Sequence, residues 1–361
     1  MQLVQTCVAL LMSVAAAPPA GAAEVPFSVQ VVDEQTGRGV PLVELKTVNS
    51  IRYYTDSQGV AAIDEPGLAG LEVFFHVRSH GYEHAADGFG NRGVKLRINP
   101  GARATISIRR INIAERLYRL TGAGIYRDSV LAEWPIPIQA PLLNGQVFGC
   151  DGTISAVYRG RLFWFWGDTG RPQYPLGNFQ ATGATSRLPA DGGLDPSVGV
   201  DLDIFTGDDG FARGMAQIPG DGATWLSGLT VLREPAGGRE RMFAGYVRVR
   251  PPFDVYQTGL AEYDDARDTF RSVAEFGRDP IVQPHGHPIR LTSAGVDYAL
   301  RDDDSFRGGG CQAVFAGPAQ RVRGLHLPAC REPPRQAGDR PRCERRHPLR
   351  LEAGHAGRRA E

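Results

Sequence analysis

Three carboxylates of this chain are candidates for a general acid, a general base or a nucleophile. Asp151 and Asp168 flank a predicted β-hairpin over residues 153–168, and Glu262 lies inside a later predicted strand. The two ends of a hairpin lie side by side, so Asp151 and Asp168 are expected at one rim of a sheet. Glycoside hydrolysis uses two facing carboxyl groups, one protonated and one ionised. We therefore predict Asp151, Asp168 and Glu262 as catalytic candidates.

Each candidate also has a purely structural interpretation. Asp151 and Asp168 suit turn capping, because short carboxylates accept hydrogen bonds from nearby backbone N–H groups. Glu262 lies in the segment Leu260-Ala261-Glu262-Tyr263, where an exposed strand face explains an acidic residue equally well. The sequence leaves both interpretations open.

Aromatic and histidine side chains are the candidates for binding a substrate. Aromatic rings stack against the apolar faces of ligands, and histidines donate or accept hydrogen bonds. Packing of one strand face, or of a loop beside a proline, is the structural alternative. The substrate-binding candidates are Trp166, Tyr174, Trp225, His285 and His287.

Composition excludes several functional classes. The chain has 361 residues, with 40 basic and 40 acidic side chains, so no net field favours nucleic acid or an anionic membrane. No phosphate-binding, dinucleotide-binding, serine-hydrolase or zinc-protease motif occurs. The five cysteines include no CxxC pair, so neither a zinc site nor a disulfide framework is predicted. The sequence identifies no cofactor and leaves the oligomeric state open.

The N-terminus has the pattern of an export signal. Leu3 to Ala17 is mostly apolar, and the small residues Ala20-Gly21-Ala22-Ala23 follow. We predict a signal peptide over residues 1–23 and a secreted or periplasmic protein. No basic residue precedes the apolar segment, so an uncleaved leader is the alternative. No later segment is long and apolar enough to span a bilayer.

Residues 24–113 are predicted to form a small β-sandwich. Phe27 to Asp33 alternates as a strand does, and turn signals recur at regular spacing after it. The motifs Val32-Asp33-Glu34-Gln35-Thr36-Gly37, Thr55-Asp56 with Gly59, and Gly81-Tyr82 resemble the carboxypeptidase regulatory-like, or transthyretin-like, domain. That resemblance implies an accessory module without chemistry of its own.

A connector over residues 114–144 is followed by a second β domain over residues 145–305. Within the connector, Ala114 to Leu120 is a candidate for a short helix. The four-strand unit from Thr224 to Phe276 is typical of one β-propeller blade. Because a blade takes roughly 40–50 residues, the domain holds about three blades, fewer than a closed propeller needs.

The second domain carries a further resemblance. Cys150-Asp151-Gly152 and Trp164-Phe165-Trp166-Gly167-Asp168-Thr169 resemble secreted five-bladed propeller families with a W-x-F-G-D-T signature, which are distantly similar to glycosidase propellers. Trp166 replaces the usual Phe. The resemblance implies that Asp151 matches one of three carboxylates near the central cavity of those glycosidases. It identifies no general acid.

The composition changes abruptly at residue 306. Arg, Pro, Gly and Cys dominate residues 306–361, and no period of two or 3.6 residues is visible. We interpret this segment as the product of a frameshift in the gene, and a disordered basic tail is the alternative.

These observations predict an all-β protein, in which a small β-sandwich precedes an incomplete five-bladed-type β-propeller. The expected function is that of a secreted glycan-active protein, a glycoside hydrolase with paired carboxylates at the propeller mouth. The alternative is a non-catalytic propeller that binds carbohydrate or protein, inactive in this truncated form. A glycan is the expected ligand, and no nucleic acid partner or membrane span is expected.

Overall fold

The all-β fold class is confirmed by the computed structural model. Strands dominate the chain, and the α-helix of the described part is the short α1 (Arg127–Leu131). No helix among the described residues has the length and apolar character needed to cross a membrane. The structure describes residues 24–178, 180–234, 238–278, 286–293, 296–301, 312–314 and 325–326.

The N-terminal part is a β-sandwich of two four-stranded sheets, with strand orders β4-β1-β8-β6 and β3-β2-β5-β7. β1 and β8 are parallel, and the other pairs are antiparallel. The strands are β1 (Phe27–Asp33), β2 (Glu44–Thr47), β3 (Arg52–Tyr54), β4 (Val60–Ile63), β5 (Glu72–Arg78), β6 (Tyr82–Glu83), β7 (Gly93–Arg97) and β8 (Arg103–Arg110).

One apolar core joins the two sheets of the sandwich. Val29 and Val31 on β1 and Ile106 on β8 come from one sheet, and Leu45 on β2 and Phe75 on β5 come from the other. Alternate residues of a strand point to the same face, so the odd-numbered apolar positions of β1 are buried together. This core corresponds to the β-sandwich predicted over residues 24–113.

The connector over residues 114–144 lies against the sandwich, and its helix is not where we expected it. The backbone N–H of Arg116 donates to the Tyr82 hydroxyl at 3.0 Å, and that of Arg119 donates to Ser57 Oγ at 3.2 Å. Both donors are directed to side chains of the sandwich, and a helix over 114–120 would need the N–H of Arg119 for its own ladder. The predicted helix over 114–120 is therefore wrong, and α1 forms at Arg127–Leu131 instead.

The second β domain begins with short strands and continues with long ones. Its strands are β9 (Gly149–Cys150), β10 (Ile154–Tyr158), β11 (Arg161–Trp166), β12 (Thr169–Arg171), β13 (Tyr174–Asn178), β14 (Thr182–Arg187), β15 (Asp203–Ile204), β16 (Ala223–Arg233), β17 (Glu240–Arg250), β18 (Asp254–Asp264), β19 (Thr269–Phe276), β20 (Ile289–Ser293), β21 (Val296–Arg301), β22 (Gln312–Val314) and β23 (Leu325–His326).

Three four-stranded antiparallel sheets follow one another along this domain, with orders β10-β11-β14-β15, β16-β17-β18-β19 and β20-β21-β22-β23. A smaller sheet, β13-β12-β9, adjoins the first. The second sheet matches the four-strand unit predicted from Thr224 to Phe276. The described residues form no closed barrel or propeller. Strands β22 and β23 lie within residues 306–361, where the predicted domain boundary stays a prediction.

A two-residue turn connects β10 to β11 at the predicted position. Tyr158 pairs with Arg161, and the intervening Arg159 and Gly160 both have positive φ, 48° and 74°. Two positive φ values are typical of a type I′ turn, whose twist matches that of the flanking strands. The turn sets the register of the hairpin and thereby places Asp168 beyond the end of β11.

Aromatic rings join the first two of these sheets. Phe165 on β11 lies 5.0 Å from Phe270 on β19, and Phe163 lies 5.4 Å from Tyr263 on β18, each measured between ring centroids. Both pairs are edge-to-face, the arrangement that the ring quadrupoles favour. The hairpin that carries Asp168 is therefore fixed against the sheet that carries Trp225.

Candidate functional site

Asp151 and Asp168 lie next to each other on facing backbone segments. The N–H of Asp151 donates to the carbonyl of Asp168 at 2.9 Å, and the N–H of Gly167 donates to the carbonyl of Asp151 at 2.7 Å. These backbone contacts bring Asp151 and Asp168 to one rim of the sheet, and their catalytic role stays a prediction.

Both aspartates line a cavity of about 330 Å³. It lies where the end of the β10–β11 hairpin meets β16 and the turn between β17 and β18. Volumes of this size are typical of small-molecule sites. Its lining residues are Asp151, Gly152, Thr153, Ile154, Phe165, Trp166, Gly167, Asp168, Trp225, Leu226 and Phe253.

The two carboxylates have different surroundings. Asp168 is half-buried, and its Oδ1 accepts a hydrogen bond of 3.1 Å from the indole Nε1–H of Trp225. Asp151 is exposed, and its carboxylate has no hydrogen bond or ion pair among the described contacts. The bond from Trp225 orients one carboxylate, while the other is available to a ligand.

The aromatic residues of the cavity divide into a packed group and an open one. Trp166 is 4% exposed and packs with Ala184 and Leu202 in a small apolar cluster. Trp225 is half-buried, and Phe253 is 80% exposed. Trp166 therefore serves mainly to support the rim, whereas Trp225 and Phe253 present ring surface to the cavity.

Phe253 is the site residue that the sequence analysis missed. It ends the three-residue turn Pro251-Pro252-Phe253 between β17 and β18, which pair up to Arg250 and Asp254. An apolar residue after two prolines in a turn has no partner in its own hairpin. That local anomaly is the signal that would have identified it.

Glu262 lies outside the cavity. Its carboxylate is 7% exposed and is paired with Arg241 Nε at 2.6 Å and Arg271 Nη2 at 3.4 Å. The Glu262 carboxylate accepts a hydrogen bond from Arg241 and raises the pKa of that guanidinium. This arrangement ties β17, β18 and β19 together, so it gives the acidic residue a structural reason to be there.

The remaining predicted residues are not brought to the cavity by any described contact. The backbone of Tyr174 pairs with that of Arg171 in the small sheet. His287 is exposed in the segment before β20. His285 lies outside the described residues. Their binding roles stay predictions.

Neither a metal nor a family assignment supplements this geometry. Within the described ranges, no group of three or more His, Cys, Asp or Glu side chains is arranged to hold a metal ion. The sequence matches no protein-family model, and no curated protein is similar to it. The cavity is therefore the feature of this protein that indicates its function.

Proposed function

We propose that this protein binds a glycan in the cavity between the β10–β11 hairpin and β16. The observation that carries the proposal is the convergence of Asp151, Asp168, Trp225 and Phe253 on one cavity. Carboxylates accept hydrogen bonds from sugar hydroxyls, and aromatic rings cover the apolar faces of sugar rings. A binding site of this kind combines apolar walls with a few fixed polar groups.

Hydrolysis of a glycosidic bond at this site is the second candidate function. It is favoured by the different surroundings of the two carboxylates, since the reaction needs an acid and a base or nucleophile. Asp168, held by Trp225 and half-buried, suits one role. Asp151, exposed and unpaired among the described contacts, suits the other.

The test is a binding and turnover screen of the full chain against soluble polysaccharides and oligosaccharides, with three single variants. We expect Asp151→Asn and Asp168→Asn to weaken binding at least about tenfold, equivalent to 1.4 kcal/mol. Asp191→Asn, an exposed aspartate after β14 and outside the cavity, is the matched control. Binding that survives both cavity variants would refute the site. Product release that Asp151→Asn abolishes would establish hydrolysis.

We also propose a domain architecture for the whole chain, on the basis of its sheet topology. Three successive four-stranded antiparallel sheets support blades of a partial five-bladed-type propeller, and the sandwich before them supports an accessory domain.

Resequencing the gene across the codons for residues 295–361 tests the frameshift: a missing or extra base would restore further blades. N-terminal sequencing of exported protein tests the signal peptide, with Ala23 or Glu24 expected as the first residue.

A further inference from the structure

The charge and the exposed ring of this cavity narrow the class of its ligand. Among the lining residues that the structure describes, two are carboxylates and none is Lys, Arg or His. Charges interact strongly where protein walls lower the effective dielectric constant. An acidic sugar would bring a further negative charge beside Asp151 and Asp168, with no cation there to compensate it.

Phe253 supplies the second observation. Its side chain is 80% exposed, lies at the edge of the cavity, and makes no aromatic contact among those described. Single exposed apolar residues are common and need no explanation by themselves. This one differs because it is at the mouth of a cavity and is held by a three-residue turn between two long paired strands, β17 and β18.

The two prolines of this turn restrict its backbone φ angles, which limits the conformational freedom that a ligand would remove on binding. A phenylalanine has two side-chain torsions, so ordering it costs little conformational entropy compared with a long flexible side chain. Together, Phe253 and the two carboxylates of the cavity match the two kinds of surface on an uncharged sugar. The sugar hydroxyls donate hydrogen bonds to carboxylates, and the apolar C–H face packs on an aromatic ring.

We infer that the cavity takes an uncharged sugar, stacked on Phe253 and hydrogen-bonded to Asp151 and Asp168, and that it discriminates against acidic sugars. This inference rests on the proposed glycan-binding function and specifies its ligand class. Phe253 acts here as a binding residue that covers the C–H face of the sugar, and the charges of Asp151 and Asp168 provide the discrimination against acidic sugars.

Calorimetric titration of the full chain tests the inference with defined probes. The uncharged probes are the β-1,4-linked hexasaccharides of glucose, mannose and xylose, and the acidic probe is the hexasaccharide of galacturonate. We expect at least one uncharged probe to bind and the acidic probe to bind at least about tenfold more weakly. Raising the salt concentration should reduce that difference, because salt screens charge repulsion.

Variants of Phe253 test the stacking. Phe253→Ala should weaken binding of the uncharged probe about tenfold, and Phe253→Tyr should restore it. Phe89→Ala is the matched control, since Phe89 is 96% exposed on a sandwich loop away from the cavity. All of these side chains are exposed, so the variants are expected to fold.

The outcomes separate the two proposals. Equal binding of acidic and uncharged probes, or full binding by Phe253→Ala, would overturn the inference while leaving glycan binding intact. Failure of every hexasaccharide to bind would overturn the proposed function together with the inference.

Discussion

The buried ion pair of Glu262 allows the sharpest test of how this domain is held together. Glu262→Gln removes the charge that faces Arg241 across β17 and β18, while nearly preserving the size of the side chain. The side chain of Glu262 is 7% exposed and that of Arg241 17%, and Arg241 Nε lies 2.6 Å from Glu262 Oε1. The substitution therefore leaves a largely buried cation without the negative charge that compensates it, although the amide oxygen of Gln can still accept a hydrogen bond.

The expected cost follows from this burial. Removing one partner of a buried pair costs about 3–5 kcal/mol, because the other charge stays buried without compensation. Part of that cost is relieved here, since Arg241 keeps some solvent contact and lies 3.9 Å from Glu234. Arg271, the second partner of Glu262, is 58% exposed and adds little. We expect a loss of about 2–3 kcal/mol in the free energy of unfolding.

Urea denaturation followed by tryptophan fluorescence measures this loss in the right domain. Of the four tryptophans, those in the second β domain are Trp164, Trp166 and Trp225. The matched control is Asp254→Asn on the same strand, where an exposed pair with Arg278 at 3.0 Å should contribute less than about 1 kcal/mol. A double-mutant cycle with Arg241→Met isolates the pair.

Two results would refute the reasoning. If Glu262→Gln lowers the free energy of unfolding by no more than Asp254→Asn does, the buried pair contributes no more stability than the exposed pair. If Glu262→Gln keeps its stability but abolishes glycan turnover, Glu262 is catalytic, as the sequence analysis expected, and the cavity has been assigned without one of its residues.

Three further predictions concern packing, backbone conformation and pH. Phe165→Ala should lower the free energy of unfolding by about 3–5 kcal/mol in urea denaturation, because Phe165 is fully buried among aromatic rings; a loss under 1 kcal/mol would contradict that packing. Gly160→Ala should cost roughly 1–2 kcal/mol in the same assay, because its φ of 74° is unfavourable for a residue with a Cβ atom, and an unchanged midpoint would argue against the type I′ turn. Burial raises the pKa of Asp128, so between the unfolded and folded pKa values the folded state binds more protons than the unfolded state. The contribution of Asp128 to the free energy of unfolding should therefore fall as pH rises from about 3.9 through the raised pKa. Melting temperatures across that acidic range should show a smaller fall for Asp128→Asn than for the wild type, and parallel curves would contradict the assignment.

Short-range relations within the chain were predictable because they depend on local geometry. Arg159 and Gly160 lie between two apolar strands, so a tight turn is expected there, and the structure has a two-residue turn at that position. Once the turn is placed, the pleat of the hairpin determines where β11 ends. The proximity of Asp151 and Asp168 follows from the same hairpin.

The position of the helix in the connector could not be predicted in this way. Residues 114–120 have no strong bias against helix, but the sandwich offers acceptors such as the Tyr82 hydroxyl and Ser57 Oγ to their backbone. Contacts with a separate sheet outweigh a weak local preference, which is worth only a few tenths of a kcal/mol per residue.

The sequence by itself determined the all-β class, the strand periodicities, the β10–β11 turn and the pairing of two aspartates at one rim. Tertiary structure alone decided what surrounds them. Trp225 reaches Asp168 across 57 residues because two sheets pack face to face, and Phe253 joins the cavity from a turn of the second sheet. The same packing buries Glu262 in an ion pair, outside the cavity. Which face of a strand is covered depends on its neighbours in space, and a period of two along the chain contains no information about them.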